Sequence, residues 1–119
     1  MKEKTLYSEA QCTKNINGVE DALYVLGGKW KLRIIIALHG GHNRFNDLQR
    51  TIKGISARVL SNELKQLEMN GLVKRVVQSD LYPVVVEYKA TEYATSLHEV
   101  VSALADWGQK HKKKITAKQ

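Results

Sequence analysis

The stretch from Arg44 to Tyr88 constrains the fold of this chain more than any other part of the sequence. Apolar residues recur there at helical spacing in two sets. The first set comprises Phe45, Leu48, Ile52 and Ile55, and the second comprises Ala57, Leu60, Leu64 and Leu67. Two β-branched runs follow at 73–78 and 84–88, separated by turn-forming residues. The pattern predicts two short helices joined by a tight turn and then a β-hairpin.

Residues that favour helix ends flank both predicted helices. Asn46 is the expected N-cap of the first helix, and Ser56 is the expected N-cap of the second. Gly71 supplies a left-handed stop after the second helix. A helix pair followed by a hairpin is typical of a winged helix-turn-helix, so we expect an α+β fold that is mainly α. Residues 42–45 are expected to add a short first strand.

The exposed face of the second helix carries a ridge of polar side chains. These side chains stand at i, i+3, i+4 and i+7 opposite the apolar stripe, and they are Arg58, Ser61, Asn62 and Lys65. Hydrogen-bond donors in this arrangement suit the base edges and phosphates of the DNA major groove. The alternative is a solvated face of an ordinary surface helix. The hairpin that follows the helix favours DNA.

The distribution of charge along the chain indicates where DNA would approach. Residues 44–75 carry seven basic and three acidic side chains, whereas residues 76–109 carry one basic and five acidic side chains. Five lysines follow in a tail that we interpret as a solubilising segment. We therefore expect double-stranded DNA to bind at the helix-turn-helix. The candidate DNA-binding residues are Arg44, Arg50, Ser56, Ala57, Arg58, Ser61, Asn62, Lys65, Lys74 and Arg75.

Two helices are predicted before the motif and one after it. The first is amphipathic and ends at Gly27, and the second, at 30–38, is apolar nearly all round and should be buried. The last helix, from Thr91 onward, carries a heptad-like seam. Its candidate dimer-interface residues are Tyr93, Leu97, Val100, Val101, Leu104 and Trp107. The alternative is that this seam packs onto its own domain.

Several other functions receive little support from the sequence. We find no phosphate loop, nucleophile elbow or repeated acidic motif, so we do not expect an enzyme or a cofactor. The longest aliphatic run is too short to cross a membrane, and we expect a cytoplasmic protein. A metal- or small-ligand-responsive regulator and a winged-helix protein-interaction module remain alternatives. The histidines near a possible metal site, His39 and His42, bracket two glycines rather than share a helix face.

The chain resembles the HxlR family of bacterial winged-helix transcriptional regulators, which are relatives of the MarR group. The motifs that carry the resemblance lie at 27–30, 44–48, 54–61, 64–68, 71–73 and 86–88, within a region from about Cys12 to His111. We therefore expect a single domain over residues 1–119, with flexible segments at 1–11 and 112–119. The chain departs from many relatives by having Thr13 in place of proline and Val85 in place of a basic wing residue.

The resemblance also carries expectations about assembly and regulation. It implies a homodimer joined by the first and last helices, which binds an inverted-repeat operator through two recognition helices and two wings. We expect this regulator to be a repressor. Several members of the family sense oxidants or electrophiles through one cysteine near the N-terminus. Cys12, the only cysteine of the chain, matches that position approximately and is the candidate redox sensor.

Overall fold

The computed structural model describes residues 4–117, which form a mainly helical α+β domain. Its helices are α1 (Glu9–Leu26), α2 (Lys31–His39), α3 (Phe45–Thr51), α4 (Ala57–Met69) and α5 (His98–Thr116). Strands β1 (Val73–Gln78) and β2 (Val85–Ala90) form an antiparallel hairpin, and a 3-10 helix spans Tyr93–Leu97. The predicted winged helix-turn-helix, with α3, α4 and the hairpin in that order, is confirmed.

The ends of the helix-turn-helix follow the predicted signals in two of three places. Ser56 caps α4, since its Oγ accepts a hydrogen bond from the Val59 N–H at 3.1 Å. Gly71 adopts φ 76°, the left-handed conformation that glycine tolerates best. The prediction that Asn46 caps α3 is wrong. The Leu48 N–H bonds to the Arg44 carbonyl at 2.9 Å, so the first turn already closes at Arg44 and Asn46 lies inside the helix.

The hairpin pairs in register from Val73 opposite Ala90 to Gln78 opposite Val85, so its second strand runs two residues beyond the predicted end. The expected strand at 42–45 does not form, because α3 takes up the chain from Phe45 and leaves too few residues for a ladder. One hydrogen bond stands in its place, from the Tyr88 N–H to the Asn43 carbonyl at 2.8 Å. This bond joins the hairpin to the loop before α3.

The hydrophobic core lies between α2, α3, α4 and the start of β1. Six large side chains are fully buried there: Ile34, Ile35, Leu48, Leu60, Leu64 and Leu67. Helix α2 is not buried all round as predicted, since Ile36 is 48% exposed. Its side chain lines an open groove between α2 and α5 with Val101 and Leu104, so α5 covers that side of α2 incompletely.

The terminal helices extend away from this core. The radius of gyration is 18.3 Å, and the longest dimension is 71 Å. A compact chain of this length would have a radius of gyration of about 13.5 Å. Helix α5 buries none of its residues. Both α1 and α5 continue into the segments that we expected to be flexible, at 9–11 and 112–116, while residues 1–3 and 118–119 lie outside the described residues.

The last helix does not begin as a regular α-helix at Thr91. The N–H groups of Ala94 and Thr95 bond to the carbonyls three residues earlier, at 3.0 Å each, which makes this segment a 3-10 helix. The tighter turn places Ala94 in the core, where it is fully buried. Among the described residues, no helix is long and apolar enough to cross a membrane.

Candidate nucleic-acid interface

Helix α4 separates core and surface residues as its pattern predicted. Leu60, Leu64 and Leu67 are buried, while Arg58, Asn62 and Lys65 are exposed. Ser61, the remaining member of the polar ridge, is half-buried at the border between the two faces. The ridge is therefore free to meet a ligand along most of the helix. A helix of this length is about 20 Å long and fits a major groove.

The N-terminal end of α4 adds backbone donors to the ridge. Ser56 and Ala57 are both exposed there. The Ser56 hydroxyl binds the N–H of Val59, and the N–H groups of Ala57 and Arg58 precede the first intrahelical hydrogen bond. These groups point along the helix axis toward whatever lies before the helix. Backbone N–H groups at a helix N-terminus bind phosphate oxygens well, because the helix dipole favours negative charge there.

The other predicted DNA-binding residues lie around this helix rather than on it. Arg44 is the exposed N-cap of α3, and Arg50 is exposed within α3. Arg50 Nη2 lies 3.6 Å from the Asp47 carboxylate. Lys74 and Arg75 are exposed at the start of β1. Because α4 ends at Met69, they follow the C-terminal end of α4 in the chain, whereas Ser56 lies at its N-terminal end. The predicted set therefore comprises the ridge and N-terminal end of α4, two arginines of the α3 segment, and a group at the base of the hairpin.

The register of the hairpin reveals one basic residue that the sequence analysis missed. Lys89 lies directly opposite Lys74, and both side chains are exposed on the same face of the sheet. Like charges in directly opposed positions repel each other. Their identity was visible in the sequence, but their pairing depends on the exact length of the loop between the strands. Lys89 therefore belongs with Lys74 and Arg75 in the group at the hairpin base.

The tip of the hairpin is apolar instead of basic. Tyr82 is fully exposed, Leu81 is 45% exposed and Val84 is 54% exposed. Residues 79–84 contain one acidic side chain, Asp80, and no lysine or arginine. Wings that enter the minor groove normally use Arg or Lys at this point. Any contact of this tip with DNA therefore depends on shape and apolar surface.

The predicted dimer-interface residues on the last helices divide between the core and the surface. Leu97 packs against the core, and Val101 is half-buried. The others are largely exposed: Tyr93, Val100, Leu104 and Trp107. On α1, Ile16, Val19 and Leu23 are also more than half exposed. Both terminal helices thus present large apolar side chains that the rest of the described chain covers only in part.

Cys12 and the histidines occupy separate places. Cys12 is exposed in the first turns of α1, where its N–H bonds to the Ser8 carbonyl at 2.8 Å. His42 Nδ1 lies 2.8 Å from Asp47 Oδ2 and 3.3 Å from Thr51 Oγ1, so it fastens α3 to the preceding loop. Within residues 4–117, no three His, Cys, Asp or Glu side chains come together as a metal site.

Comparison with known proteins identifies the class of this fold. The profile of the HxlR-like helix-turn-helix family matches residues 25–116. The chain is 37% identical over 97 residues to the HTH-type transcriptional regulator YdeP of Bacillus subtilis (strain 168), covering 82% of this chain and 75% of YdeP. The chain therefore belongs to the HxlR-like helix-turn-helix family, whose members are DNA-binding transcriptional regulators.

Two solved structures resemble most of this chain. The reduced form of the redox regulator HypR superposes with a TM-score of 0.76 at 34% identity, covering 84% of this chain and 98% of HypR. The reduced form of the transcriptional regulator YodB from B. subtilis superposes with a TM-score of 0.69 at 37% identity, covering 76% of this chain and 88% of YodB. A redox regulator is thus among the structural neighbours.

Proposed function

We propose that this protein is a repressor that binds an inverted-repeat operator as a homodimer. The observation that carries the proposal is the exposed ridge of Arg58, Asn62 and Lys65 on a capped helix with a buried opposite face. A guanidinium on such a ridge pairs with the two acceptors of a guanine, while a lysine binds a phosphate or base oxygen. A dimer that covers the operator excludes other proteins from the same DNA, which is the simplest route to repression.

The apolar faces of α1 and α5 support dimerisation. Val100, Leu104 and Trp107 follow one another by alternating fours and threes on α5, and the Trp107 ring stacks on His111 with centroids 5.2 Å apart. Ile16, Val19 and Leu23 form a matching stripe on α1. A second copy of the chain offers the same two stripes, as a two-fold symmetric interface requires. Dimerisation would also supply the second recognition helix that an inverted repeat needs.

Substitution of Arg58 tests operator recognition. If Arg58 reads a base, Arg58→Ala should weaken operator binding by roughly 1 to 3 kcal/mol and relax the preference at one position of each half-site. Lys74→Gln is the matched control. If Lys74 contacts a phosphate, its loss should weaken binding to all DNA sequences alike. Binding to operator variants with every base at each position separates the two effects. An Arg58→Ala protein that loses affinity equally on all sequences would assign Arg58 to the backbone instead.

Substitution of Leu104 tests the homodimer. Leu104 is 53% exposed on α5, so an aspartate there can be solvated in a folded monomer. Burial of a leucine in a dimer interface stabilises the dimer by roughly 1.5 to 3 kcal/mol. An aspartate at the same position would lose that contribution, and burying its carboxylate would destabilise the dimer further. We expect Leu104→Asp to sediment as a folded monomer. It should bind the operator much more weakly, because two linked subunits no longer bind the two half-sites of the operator together. A folded, dimeric Leu104→Asp protein would contradict this interface.

Cys12 supports a second part of the proposal, a response to oxidants or electrophiles. Its thiol is exposed, and Cys12 lies on the same helical face as Ile16, Val19 and Leu23. An adduct or an intersubunit disulfide at Cys12 would therefore disturb α1 at the proposed interface. The separation of the two recognition helices would change with it, and operator affinity depends on that separation.

The response to oxidation is tested with diamide. Wild type and Cys12→Ser are each treated with diamide, and operator binding is measured before and after reduction with dithiothreitol. We expect wild type alone to release the operator, and to bind it again after reduction. Equal release by both proteins, or release by neither, would exclude Cys12 as the sensor. Neither result would count against the proposal that the untreated protein binds an operator.

A further inference from the structure

A second basic cluster lies outside the predicted DNA-binding residues, where the start of α2 meets the turn between α3 and α4. It consists of Lys29, Trp30, Arg33 and Lys53, and we name it the Trp30 cluster. Lys29 Nζ lies 4.8 Å from the centroid of the Trp30 ring, and Arg33 Cζ lies 5.5 Å from it. Both distances are within the range of cation–π interactions. One half-buried indole therefore restrains two exposed cations.

The fold brings this indole against the turn of the helix-turn-helix. Trp30 Cη2 lies 3.9 Å from the position that a Cβ on Gly54 would occupy. Lys53, the residue before Gly54, lines one shallow cavity together with Arg33. Residues far apart in sequence thus form one positive surface beside the turn. Ser56, the N-cap of α4, follows only two residues after Gly54.

Within residues 4–117, no carboxylate forms an ion pair with the Trp30 cluster. The four ion pairs within residues 4–117 join Lys31 to Glu63, His42 to Asp47, Arg50 to Asp47 and Lys110 to Asp106. Lys29, Arg33 and Lys53 are all exposed and belong to none of them. Neighbouring cations without a counter-charge repel one another, and they raise the local potential that attracts an anion.

We propose that the Trp30 cluster binds the DNA phosphate backbone beside the groove that α4 enters. This inference rests on the proposed function, which places the N-terminus of α4 at the DNA. A phosphate bound there would supply the negative charge that these cations lack. Because the indole already restrains Lys29 and Arg33, they would lose less side-chain entropy on binding. Ammonium and guanidinium groups directed at phosphates carry no sequence information. The cluster would therefore contribute affinity and salt dependence, whereas the ridge on α4 contributes base preference.

The test compares two double variants that each remove two positive charges per chain. Lys29→Gln/Lys53→Gln removes charge from the Trp30 cluster, and Lys14→Gln/Lys112→Gln removes the same charge from α1 and α5. Affinity for the selected operator and for a scrambled duplex is measured by fluorescence anisotropy from 50 to 300 mM salt. Thermal unfolding of each variant checks that the fold is retained, which we expect because all four lysines are exposed.

We expect the cluster variant to lose at least tenfold in affinity on both duplexes, with an unchanged ratio between them. The slope of log affinity against log salt should fall by about 0.9 for each lost phosphate contact, or by about 2 to 4 in a dimer. The control variant should keep a slope within about one unit of wild type, because it removes no phosphate contact of this site. Equal slopes for the two variants would overturn the inference.

The outcomes for this inference and for the proposed function are distinct. If wild type prefers its operator and the cluster variant binds like the control, operator recognition stands and the phosphate site is rejected. If wild type binds all duplexes alike and the cluster variant loses that binding, the phosphate site stands and sequence-specific recognition is rejected. Binding of an acidic peptide, with no loss of DNA affinity in the cluster variant, would reject the phosphate site as well.

Discussion

The buried ion pair between α2 and α4 gives a sharp test of how helix α4 is held against the core. Lys31 Nζ lies 2.6 Å from Glu63 Oε2, and the two side chains are only 11% and 20% exposed. Among the described residues, the Lys31 ammonium is the only polar partner of this buried oxygen. Loss of either partner therefore leaves an unpaired charge next to the core.

The expected magnitude follows from this burial. Breaking a buried pair by removing one partner costs roughly 3 to 5 kcal/mol. Because both side chains keep some contact with water, we expect the low end, about 3 kcal/mol, for Lys31→Met and for Glu63→Leu alone. The double variant replaces the pair with apolar side chains and should lie within about 1 kcal/mol of wild type. Each single change would lower Tm by about 12 °C in a domain of this size.

Urea unfolding at a fixed protein concentration measures the stability of all four proteins, since the proposed dimerisation would make stability depend on concentration. The four free energies form a double-mutant cycle, in which a real interaction appears as strong non-additivity. If the double variant is destabilised by the sum of the two single changes, about 6 kcal/mol, the pair does not act as a unit and the reasoning is wrong.

Three further predictions concern local structure, and each is checked by the free energy of unfolding against its control. Ser56→Ala should cost about 1 kcal/mol because α4 loses its N-cap, whereas Ser61→Ala on the same helix should cost less than about half of that. Gly71→Ala should lower the free energy of unfolding by about 1 to 2 kcal/mol, because Gly71 has a φ of 76°. Its control, Gly18→Ala within α1, should raise the free energy of unfolding by up to about 1 kcal/mol, because a Cβ there meets nothing within 4 Å. Glu87→Ala should cost about 1 to 3 kcal/mol, more than Glu99→Ala, because the Glu87 carboxylate accepts hydrogen bonds from Asn43 at 3.1 Å and Gln78 at 2.6 Å. Equal costs within any pair would contradict the contact named for it.

Local signals in the sequence were sufficient for much of the fold. The Ser56 cap, the Gly71 stop and the alternation of buried and exposed residues on α4 depend on neighbours within one helical turn. Such features can be predicted from sequence because the residues that form them are close together in the chain. The polar ridge was found for the same reason, since its members share one helix.

Features that depend on distant parts of the chain were missed or misplaced. The N-cap of α3 was misplaced for a local reason instead, because the Leu48 N–H bonds to the Arg44 carbonyl and makes Arg44, two residues before Asn46, the N-cap. The exposure of Ile36 depends on how closely α5 approaches α2, and hydropathy alone does not reveal that approach. The approach of Trp30 to Gly54 likewise brings together two segments about two dozen residues apart. Periodicity carries no signal for such tertiary contacts.

Selection of bound sites from random duplex DNA tests the central claim, sequence-specific recognition by a dimer through α4, most directly. Wild type should enrich an inverted repeat whose half-site centres lie about 10 to 10.5 base pairs apart, or a multiple of that. Arg58→Ala, selected in parallel, should enrich the same repeat with one position in each half-site relaxed. If wild type enriches no common sequence, or a single half-site without symmetry, the account of this protein as a dimeric operator-binding regulator is contradicted.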